Sequence, residues 1–362
     1  MNNDSCMDII VANQVTNNIG QIFGDGNGSF GNIVSYSTGF ESYPQYAAAA
    51  DFNKDNLADI VVANFGNGDV VVFLGYKNGT FLLVTTYSTG SGTGTLCLKF
   101  EDFNNDKNID IVVANLYSGY IGILFEFGDG SFATIVLYSS GLNSSIIWID
   151  VGDFNNDTRL DIVFADQADN NVGILLGSGI KTFGSQKPLP MSNNSTLSSV
   201  TLAAFNRDHY LDIVVTNNGT NNIGILLGHE DGTFGNMTTY STEQYSEPLS
   251  ITVADIDSDG FLNILVANSG TDNIGIFLGK GNGNFATMKQ YSTDTGYRPL
   301  SITVSDFNND KWLDIVVANS GTNSVLILAG SDNGTYPNQE TYFTEYGSRP
   351  NWIIVGNFNN DS

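Results

Sequence analysis

The stretch DFNNDKWLDIVVAN, residues 306–319, joins an acidic loop to an apolar segment. Asp306, Asn308, Asp310 and Asp314 occupy positions 1, 3, 5 and 9 of the loop. Alternate side chains of a tight loop turn to the same side, which is how a loop surrounds a hard cation with oxygen atoms. The segment IVVAN that follows is rich in β-branched residues and nearly all apolar, which predicts a buried strand. The stretch therefore predicts an oxygen-rich cation loop that leads directly into a strand.

The same loop returns along the chain at a fixed interval of 51 residues, with no insertion between copies. An aromatic landmark keeps the same interval. A fixed period predicts stacked repeats that share one continuous core. The first loop residues are Asp51, Asp102, Asp153, Ala204, Asp255, Asp306 and Asn357, and the aromatic landmarks are Phe30, Phe81, Phe132, Phe183, Phe234, Phe285 and Tyr336.

One repeat, residues 248–298, contains four segments with the character of strands. Residues 249–254 alternate in polarity, residues 264–268 are nearly all apolar, and residues 274–278 and 285–291 follow after Gly-rich turns. Four short antiparallel strands per repeat, without a helical period, are typical of a β-propeller blade. We therefore predict an all-β, seven-bladed propeller built from four-stranded antiparallel blades.

The two ends of the chain predict how the ring closes. The first repeat lacks its first strand. At the other end of the chain, residues 351–356 have the pattern of a first strand, but no second, third or fourth strand follows them. Pairing of residues 351–356 with residues 9–13 would close the ring by strand exchange and leave no open edge. We predict a single propeller over residues 1–362, with a closing blade made from 1–40 and 351–362. Because the sequence starts and stops inside a repeat, we expect it to be part of a longer chain.

The composition argues against several functional classes. The chain carries 38 Asp and Glu against 13 Lys and Arg, a formal net charge of −25, and much of this acidity lies in the repeated loops. A nucleic-acid-binding protein would show a basic patch, so no nucleic acid is expected as a partner. No apolar run reaches the roughly 18 residues of a membrane helix, so no membrane span is expected. Cys6 and Cys97 fall at different positions of non-adjacent repeats, so we expect no disulfide framework.

The loops resemble those of the FG-GAP/VCBS repeat family, whose best-known members are the propellers of integrin α-subunits. The resemblance covers the whole chain and rests on the pattern D-x-[DN]-x-D-x-x-x-D before an apolar strand, and on the Phe-Gly steps at Phe30, Phe183 and Phe234. It implies calcium bound by the side chains at positions 1, 3, 5 and 9 and by the carbonyl of position 7. Four loops match fully: Asp51, Asn53, Asp55, Leu57 and Asp59; Asp102, Asn104, Asp106, Asn108 and Asp110; Asp153, Asn155, Asp157, Arg159 and Asp161; Asp306, Asn308, Asp310, Trp312 and Asp314.

A fifth loop departs from the family pattern at one position. It offers Asp255, Asp257, Asp259 and the carbonyl of Phe261, but Asn263 stands in place of the last carboxylate. An amide cannot chelate through two oxygens as a carboxylate can, so we expect weaker binding in this loop.

Two further loops are incomplete. The loop at 204 begins with Ala204, and we expect no metal there. The loop split between the two ends, with Asn357, Asn359 and Asp361 on one side and Asp8 on the other, depends on closure of the ring.

Calcium is the cation that this donor set favours. All-oxygen ligands exclude the metals that prefer thiolate or imidazole, and a flexible loop with several carboxylates suits Ca²⁺ better than Mg²⁺. An EF-hand would need Glu at position 12, where Val317 stands, and a helix after it. Asp- and Asn-rich turns without metal remain the alternative. We expect about four or five structural calcium ions with Kd on the order of 10⁻⁴–10⁻³ M.

No familiar catalytic motif is present in the sequence. His209 and His229 lack a nucleophile or a metal motif beside them, and the Gly-rich turns repeat in phase without a following helix. We therefore expect that the chain is not an enzyme.

The turns on the face opposite the calcium loops differ most between repeats. Tyr297, Arg298, Tyr346 and Arg349 lie in these turns, and the two Arg occupy the same position of adjacent repeats. An exposed aromatic beside a cation is a sensible ligand contact, although all four could be ordinary turn residues. A protein or glycan ligand is expected on this face.

These observations predict a secreted or cell-surface, calcium-binding propeller that serves adhesion or ligand binding. A multivalent carbohydrate-binding lectin and a structural segment of a longer repeat array remain alternatives. Similar pockets in several blades would favour the lectin, whereas one unique surface would favour adhesion to a protein.

Overall fold

A computed structural model describes residues 6–141, 144–332 and 334–358. Within these ranges the chain forms 28 strands in seven four-stranded antiparallel sheets, with a short 3₁₀ turn at Asn218–Thr220. The sheets are the blades of one ring, which confirms the predicted all-β, seven-bladed propeller.

Each blade is a meander that starts with the strand lining the central channel and ends at the outer edge. The innermost strands are β4 Pro44–Ala50, β8 Thr95–Glu101, β12 Ile146–Gly152, β16 Leu197–Ala203, β20 Pro248–Ala254, β24 Pro299–Ser305 and β28 Pro350–Gly356. The second strands are β1 Asp8–Asn13, β5 Asp59–Asn64, β9 Asp110–Asn115, β13 Asp161–Asp166, β17 Asp212–Asn217, β21 Asn263–Asn268 and β25 Asp314–Asn319. The third strands are β2 Asn18–Ile22, β6 Asp69–Gly75, β10 Tyr120–Leu124, β14 Asn171–Leu175, β18 Asn222–Leu226, β22 Asn273–Phe277 and β26 Ser324–Ala329. The outer strands are β3 Val34–Ser37, β7 Phe81–Ser88, β11 Val136–Ser139, β15 Lys187–Pro190, β19 Thr238–Ser241, β23 Lys289–Ser292 and β27 Asn338–Phe343.

The ring closes through a blade shared by the two ends of the chain. Its strand order is β28-β1-β2-β3, and β28 pairs antiparallel with β1. The register places Ile9 opposite Val355 and Ile10 opposite Ile354. This pairing confirms closure by strand exchange.

The second strand of every blade is buried along its full length. In β25, the side chains of Ile315, Val316, Val317 and Ala318 have no exposed surface. Neighbouring blades cover both faces of these strands, so an apolar side chain is favourable at each position instead of at every second one.

The two sequence landmarks meet between neighbouring blades. The residue after the first loop position packs edge-to-face against the aromatic landmark of an adjacent blade, for example Phe52 against Phe132 with ring centroids 5.6 Å apart. Equivalent pairs recur around the ring. Each loop is thus anchored on the neighbouring blade, and this contact requires the 51-residue period to be kept.

The outer strand differs from its predicted extent. In the repeat 248–298, residues 285–291 were expected to form one strand, but the strand is Lys289–Ser292 and Phe285 makes an isolated bridge to Gly279. The ring of Phe285 packs against Phe205 of the neighbouring blade, 5.2 Å between centroids, and the N–H of Phe285 donates to Tyr240 Oη of that blade at 3.2 Å.

The two faces of the ring carry different connections. Loops between first and second strands lie on one face, here called the loop face. Turns between second and third strands, and between an outer strand and the next blade, lie on the opposite face. Among the described residues, no helix has the length and apolar character to cross a membrane.

Candidate functional site

The loops between first and second strands share one backbone conformation. In the six described loops that begin at 51, 102, 153, 204, 255 and 306, the fourth and sixth residues have positive φ. Lys54 at +61° and Asn56 at +63° show the pattern, and even the β-branched Thr158 adopts it at +67°. Positive φ is uncommon for a residue with a side chain, so the curl is imposed by contacts within the loop.

The first Asp of a complete loop holds this curl. Asp51 Oδ1 accepts the N–H of Asp55 at 3.1 Å, and Asp51 Oδ2 accepts the N–H of Asn56 at 2.8 Å. The same two contacts are made by Asp102, Asp153, Asp255 and Asp306. Ala204 has no side-chain oxygen, so the loop at 204 is held without them.

The third and fifth residues also turn their oxygens into the loop. Asn53 Oδ1 accepts the N–H of Asp55 at 3.1 Å, and Asp55 Oδ1 accepts the N–H of Leu57 at 2.8 Å. In the loop at 51, the side chains at positions 1, 3 and 5 are therefore all turned towards the backbone N–H groups of their own loop.

The loop at 255 shows the tightest grouping of charge. One carboxylate oxygen from each of Asp255, Asp257 and Asp259 lies within 4.8 Å of the other two. Two oxygens bound to one Ca²⁺ at about 2.3–2.6 Å can be at most about 5 Å apart, so these three fit around a single ion. The other complete loops carry Asn at position 3 and their third Asp at position 9, so they bring two carboxylates to positions 1, 3 and 5.

The ninth residue has a second role that its sequence position does not reveal. Asp59 is fully buried, its Oδ2 accepts the N–H of Phe52 at 3.0 Å, and its Oδ1 accepts the N–H of Gly75 at 2.9 Å. It thereby ties the start of the loop to the end of the third strand. Asp110, Asp161, Asp212 and Asp314 make the same pair of contacts. This pair of backbone contacts is here called the clamp. Asp212 makes both contacts in the loop that begins with Ala204, so the clamp does not require a complete loop.

Burial changes the acidity of these clamps. It raises the pKa of Asp59 and Asp161 to about 6, and that of Asp110 to about 7. The pKa values of Asp212 and Asp314 are raised for the same reason. Backbone N–H donors lower these pKa values and nearby Asp side chains raise them, but desolvation of the charged form has the larger effect.

Two loops fit a cation less well than their sequences suggest. Arg159 was predicted to contribute its backbone carbonyl as a ligand. Its guanidinium group forms an ion pair with Asp157 inside the same loop. Asn263 uses Oδ1 to accept the N–H of Gly279 at 2.8 Å, and its Nδ2 donates to Asp257 at 3.0 Å. Asn263 therefore keeps one of the two contacts that Asp makes at this position, and it directs a donor, not an acceptor, towards the loop.

The split loop is described in part. Asp8 accepts the N–H groups of Gly24 at 3.0 Å and Phe358 at 3.2 Å, so the clamp spans the ring closure. The predicted ligands Asn359 and Asp361 lie outside the described residues.

A cavity of about 540 Å³ lies on the opposite face, between the closing blade and the blade of β24–β27. Arg298 and Arg349 line it together, as their shared position in adjacent repeats suggested, and Tyr346 lines it as well. Tyr297 does not line it and is partly buried beside it. The remaining lining residues are Gln14, Val15, Leu300, Ser320, Gly321, Asn323 and Gly347.

The central channel contains a polar group that no linear motif predicted. Lys99 Nζ lies 3.1 Å from Asp150 Oδ1, and Thr201 Oγ1 donates to Asp150 Oδ2 at 2.8 Å. These residues come from three consecutive blades and line or adjoin a channel cavity of about 350 Å³. Their positions are 51 residues apart, which is the one signal in the sequence that could have grouped them.

The fold is similar to that of several solved structures. A lectin from Agrocybe aegerita that recognises non-reducing terminal N-acetylglucosamine has a TM-score of 0.68 and 17% identity, over 99% of this chain and 97% of that one. A periplasmic gluconolactonase from Pseudomonas aeruginosa has a TM-score of 0.73 and 14% identity, over 98% and 100%. Virginiamycin B lyase from Staphylococcus aureus has a TM-score of 0.62 and 17% identity, over 84% and 86%.

The prediction that the chain is not an enzyme is wrong, because proteins with this fold include a lactonase and a lyase. That prediction relied on the lack of a short catalytic motif. A propeller can bring side chains together from separate blades, as it does with Lys99, Asp150 and Thr201, and such a group leaves no linear motif. Identities of 14–17% establish the shared fold alone.

Comparison at the level of sequence gives the family. No curated protein matches the chain. The FG-GAP-like repeat family matches it seven times, over residues 1–62, 51–113, 102–164, 153–215, 205–266, 256–317 and 306–362. These matches overlap one another and tile the whole chain. The chain therefore belongs to the FG-GAP-like repeat family.

Proposed function

We propose that this chain is a calcium-stabilised propeller that binds a ligand on the face opposite its loops. The observation that carries the proposal is the grouping of Asp255, Asp257 and Asp259, whose oxygens lie within 4.8 Å of one another. The shared curl of the loops at 51, 102, 153 and 306 extends the proposal to about four or five ions.

Bound calcium would supply positive charge where the fold concentrates carboxylates. Within one loop, three acidic side chains repel one another, and the chain as a whole carries a net charge of −25. A cation between them would remove this repulsion and fix the connection between the first two strands of the blade.

The proposed affinity suits one compartment. Loops of this kind, with few charges and flexible ligands, bind with Kd on the order of 10⁻⁴–10⁻³ M, the range of extracellular modules. We therefore propose that the protein works outside the cell, secreted or at the cell surface. Adhesion or ligand binding would use the turns of the opposite face, where Arg298, Tyr346 and Arg349 share a cavity.

Carbohydrate binding at the channel mouth is a second candidate function. A cavity of about 260 Å³ there is lined by Trp148 and Trp352 together with Gln45, Gln167 and Asn351. The indole nitrogen of Trp352 is buried and has no acceptor among the described residues. Aromatic faces and neutral amides suit an uncharged sugar. A glycan array run with calcium and with chelator tests this candidate, and Trp352→Phe should abolish any specific signal.

The experiment for calcium is a titration into chelator-treated, dialysed protein, followed by calorimetry. We expect about four or five sites per chain, with little heat from magnesium at the same concentration. The double variant Asp102→Asn/Asp106→Asn should lose one site, whereas Asp231→Asn, an exposed Asp in a turn of the same face, should lose none. Absence of calcium binding, or an unchanged site count in the loop variant, would refute the proposal.

A further inference from the structure

The four Arg residues of the chain fall into two groups. Arg159 pairs with Asp157 inside its loop, and Arg207 donates to the carbonyl of Gly260 at 2.6 Å while lying over the ring of Phe261. Arg298 and Arg349 behave differently. Within 6–141, 144–332 and 334–358, their guanidinium groups have no ion-pair partner and no hydrogen-bond acceptor.

Arg298 and Arg349 both line one cavity, of about 540 Å³. Its described lining contains no Asp and no Glu, although the chain has 38 acidic residues and 13 basic ones. On such an acidic protein, two unpaired cations in one concave site form a local positive potential. Low-dielectric walls strengthen that potential and favour an anionic group.

The backbone that carries the two Arg is fixed in place. Arg298 and Arg349 have φ of +51° and +49°. Their N–H groups donate to Asp272 Oδ1 at 2.7 Å and to Asn323 Oδ1 at 3.0 Å. Their carbonyls accept N–H groups from Ser320 at 3.2 Å and Gln14 at 3.2 Å, respectively. Part of the ordering cost of binding has therefore been met before a ligand arrives.

The donor and acceptor pattern of the cavity selects the ligand. The two guanidinium groups donate and cannot accept, so they suit a carboxylate, which accepts and cannot donate. Tyr346 is 90% exposed at the rim, and Val15 is 44% exposed. Exposed Tyr and Arg around an apolar patch are the residues that dominate protein–protein binding energy. The equivalent positions of the other blades hold Tyr43, Gly94, Ser145, Thr196 and Glu247, so the paired-Arg cavity occurs once in the ring.

We infer that this cavity binds an acidic peptide segment of a protein partner, with one Asp or Glu carboxylate between the guanidinium groups of Arg298 and Arg349 and with Tyr346 against the neighbouring residue. The inference rests on the proposed function, ligand binding on this face, and adds the class of ligand. Peptide binding does not depend on the number of calcium ions, so the peptide site and the calcium sites can be refuted separately.

Four arginines make the site observable by NMR, because protein labelled with ¹⁵N-arginine gives four Nε–H signals. The probe is the tetrapeptide acetyl-Gly-Asp-Tyr-Gly-amide, added to protein whose calcium content has been measured beforehand. The signals of Arg298 and Arg349, assigned from Arg298→Lys and Arg349→Lys, should shift together and saturate. Those of Arg159 and Arg207 should stay in place. The same peptide with Asn for Asp should bind about tenfold more weakly or worse.

Variants complete the test. Arg349→Gln should weaken the peptide-induced shift of Arg298 by about tenfold, whereas Lys187→Gln, which removes one exposed charge on β15, should leave it unchanged. Equal shifts with the Asn peptide, or no shift of the two Arg signals in folded, calcium-loaded protein, would overturn the inference. Tighter binding of glucuronate than of the peptide would overturn it as well.

Discussion

Lys99 and Asp150 form an ion pair across two neighbouring blades, with Nζ 3.1 Å from Oδ1. The second carboxylate oxygen accepts hydrogen bonds from Thr201 Oγ1 at 2.8 Å and from the N–H of Leu202 at 3.0 Å in the next blade. Burial lowers the pKa of Lys99, but the charge of Asp150 outweighs it and the net pKa is raised. Three consecutive blades are therefore joined through one carboxylate in the channel.

Removing one member of this pair should destabilise the ring. Lys99→Met leaves Asp150 charged and without its cation, and we expect a loss of about 2–3 kcal/mol in the free energy of unfolding, since Lys99 keeps some contact with water. Lys99→Met/Asp150→Asn should recover most of that loss. Urea unfolding measures both, and Lys187→Met on the surface is the control, with a change within about 0.5 kcal/mol. A single variant as stable as the parent would contradict this role.

The loop at 204 should acquire calcium with one substitution. Its fourth and sixth residues, Arg207 and His209, already have positive φ, and Asn206 and Asp208 stand at positions 3 and 5. Ala204→Asp restores the missing first carboxylate, so the calcium count by equilibrium dialysis should rise by one. Ala204→Asp/Asp208→Ala carries the same new carboxylate at position 204 but lacks the one at position 208. Its loop is incomplete, so the calcium count should stay unchanged. An unchanged count in the single variant would show that the loop pattern does not determine binding.

The clamp at position nine should stabilise a blade whether or not its loop holds metal. Asp212→Ala removes the acceptor for the N–H groups of Phe205 and Gly228, and we expect a loss of about 2–4 kcal/mol, equal with calcium and with chelator. Asp212→Asn keeps one acceptor, as Asn263 does in its own blade, and should cost less. The free energy of unfolding in both buffers checks this. A loss that appears in calcium alone would assign Asp212 to a metal site.

Calcium should reverse the response of stability to pH. The pKa of Asp110 is raised to about 7 and that of Asp59 to about 6, from 3.8, so the calcium-free fold binds protons more tightly than the unfolded chain. Their protonated forms favour the fold below pH 4, and this benefit is lost as the pH rises through 6 to 7. The calcium-free protein should therefore melt at a higher temperature at pH 5 than at pH 7.5.

In millimolar calcium the order should be the opposite, because protons compete with the metal for the same carboxylates. Thermal unfolding at constant ionic strength, in both buffers, decides the matter. The same direction of change with and without calcium would count against metal in the loops.

Most of the fold follows from the 51-residue repeat. That interval and the fully apolar second strands predict seven blades. The unpartnered strand near residue 353 predicts how the ring closes, and the structure confirms both predictions. The outer strand is harder to predict, since Phe285 packs against Phe205 of the neighbouring blade and makes only an isolated bridge within its own blade, and a strand pattern does not contain that information.

The sites were predictable to different degrees. The proposed ligands of one loop are close in sequence, so a pattern is enough to name positions 1, 3, 5 and 9 as candidates, and that assignment stays a prediction. The partners of Asp59 are Phe52 and Gly75, backbone groups with no sequence signature. Lys99 and Asp150 meet because the inner strands of different blades face one channel. Their 51-residue spacing places them at the same position of neighbouring blades, but only the folded ring shows that their side chains are in contact.

The most direct test of the central claim is the melting temperature in calcium and after chelation. At about 10 mM calcium, roughly 10- to 100-fold above the proposed Kd, each site adds about 1.4–2.7 kcal/mol to the folded state. Four or five sites should then raise the melting temperature by about 10 °C or more relative to chelated protein, and magnesium should not replace calcium. A melting temperature that is the same in millimolar calcium and in excess chelator would contradict the claim that calcium stabilises this propeller.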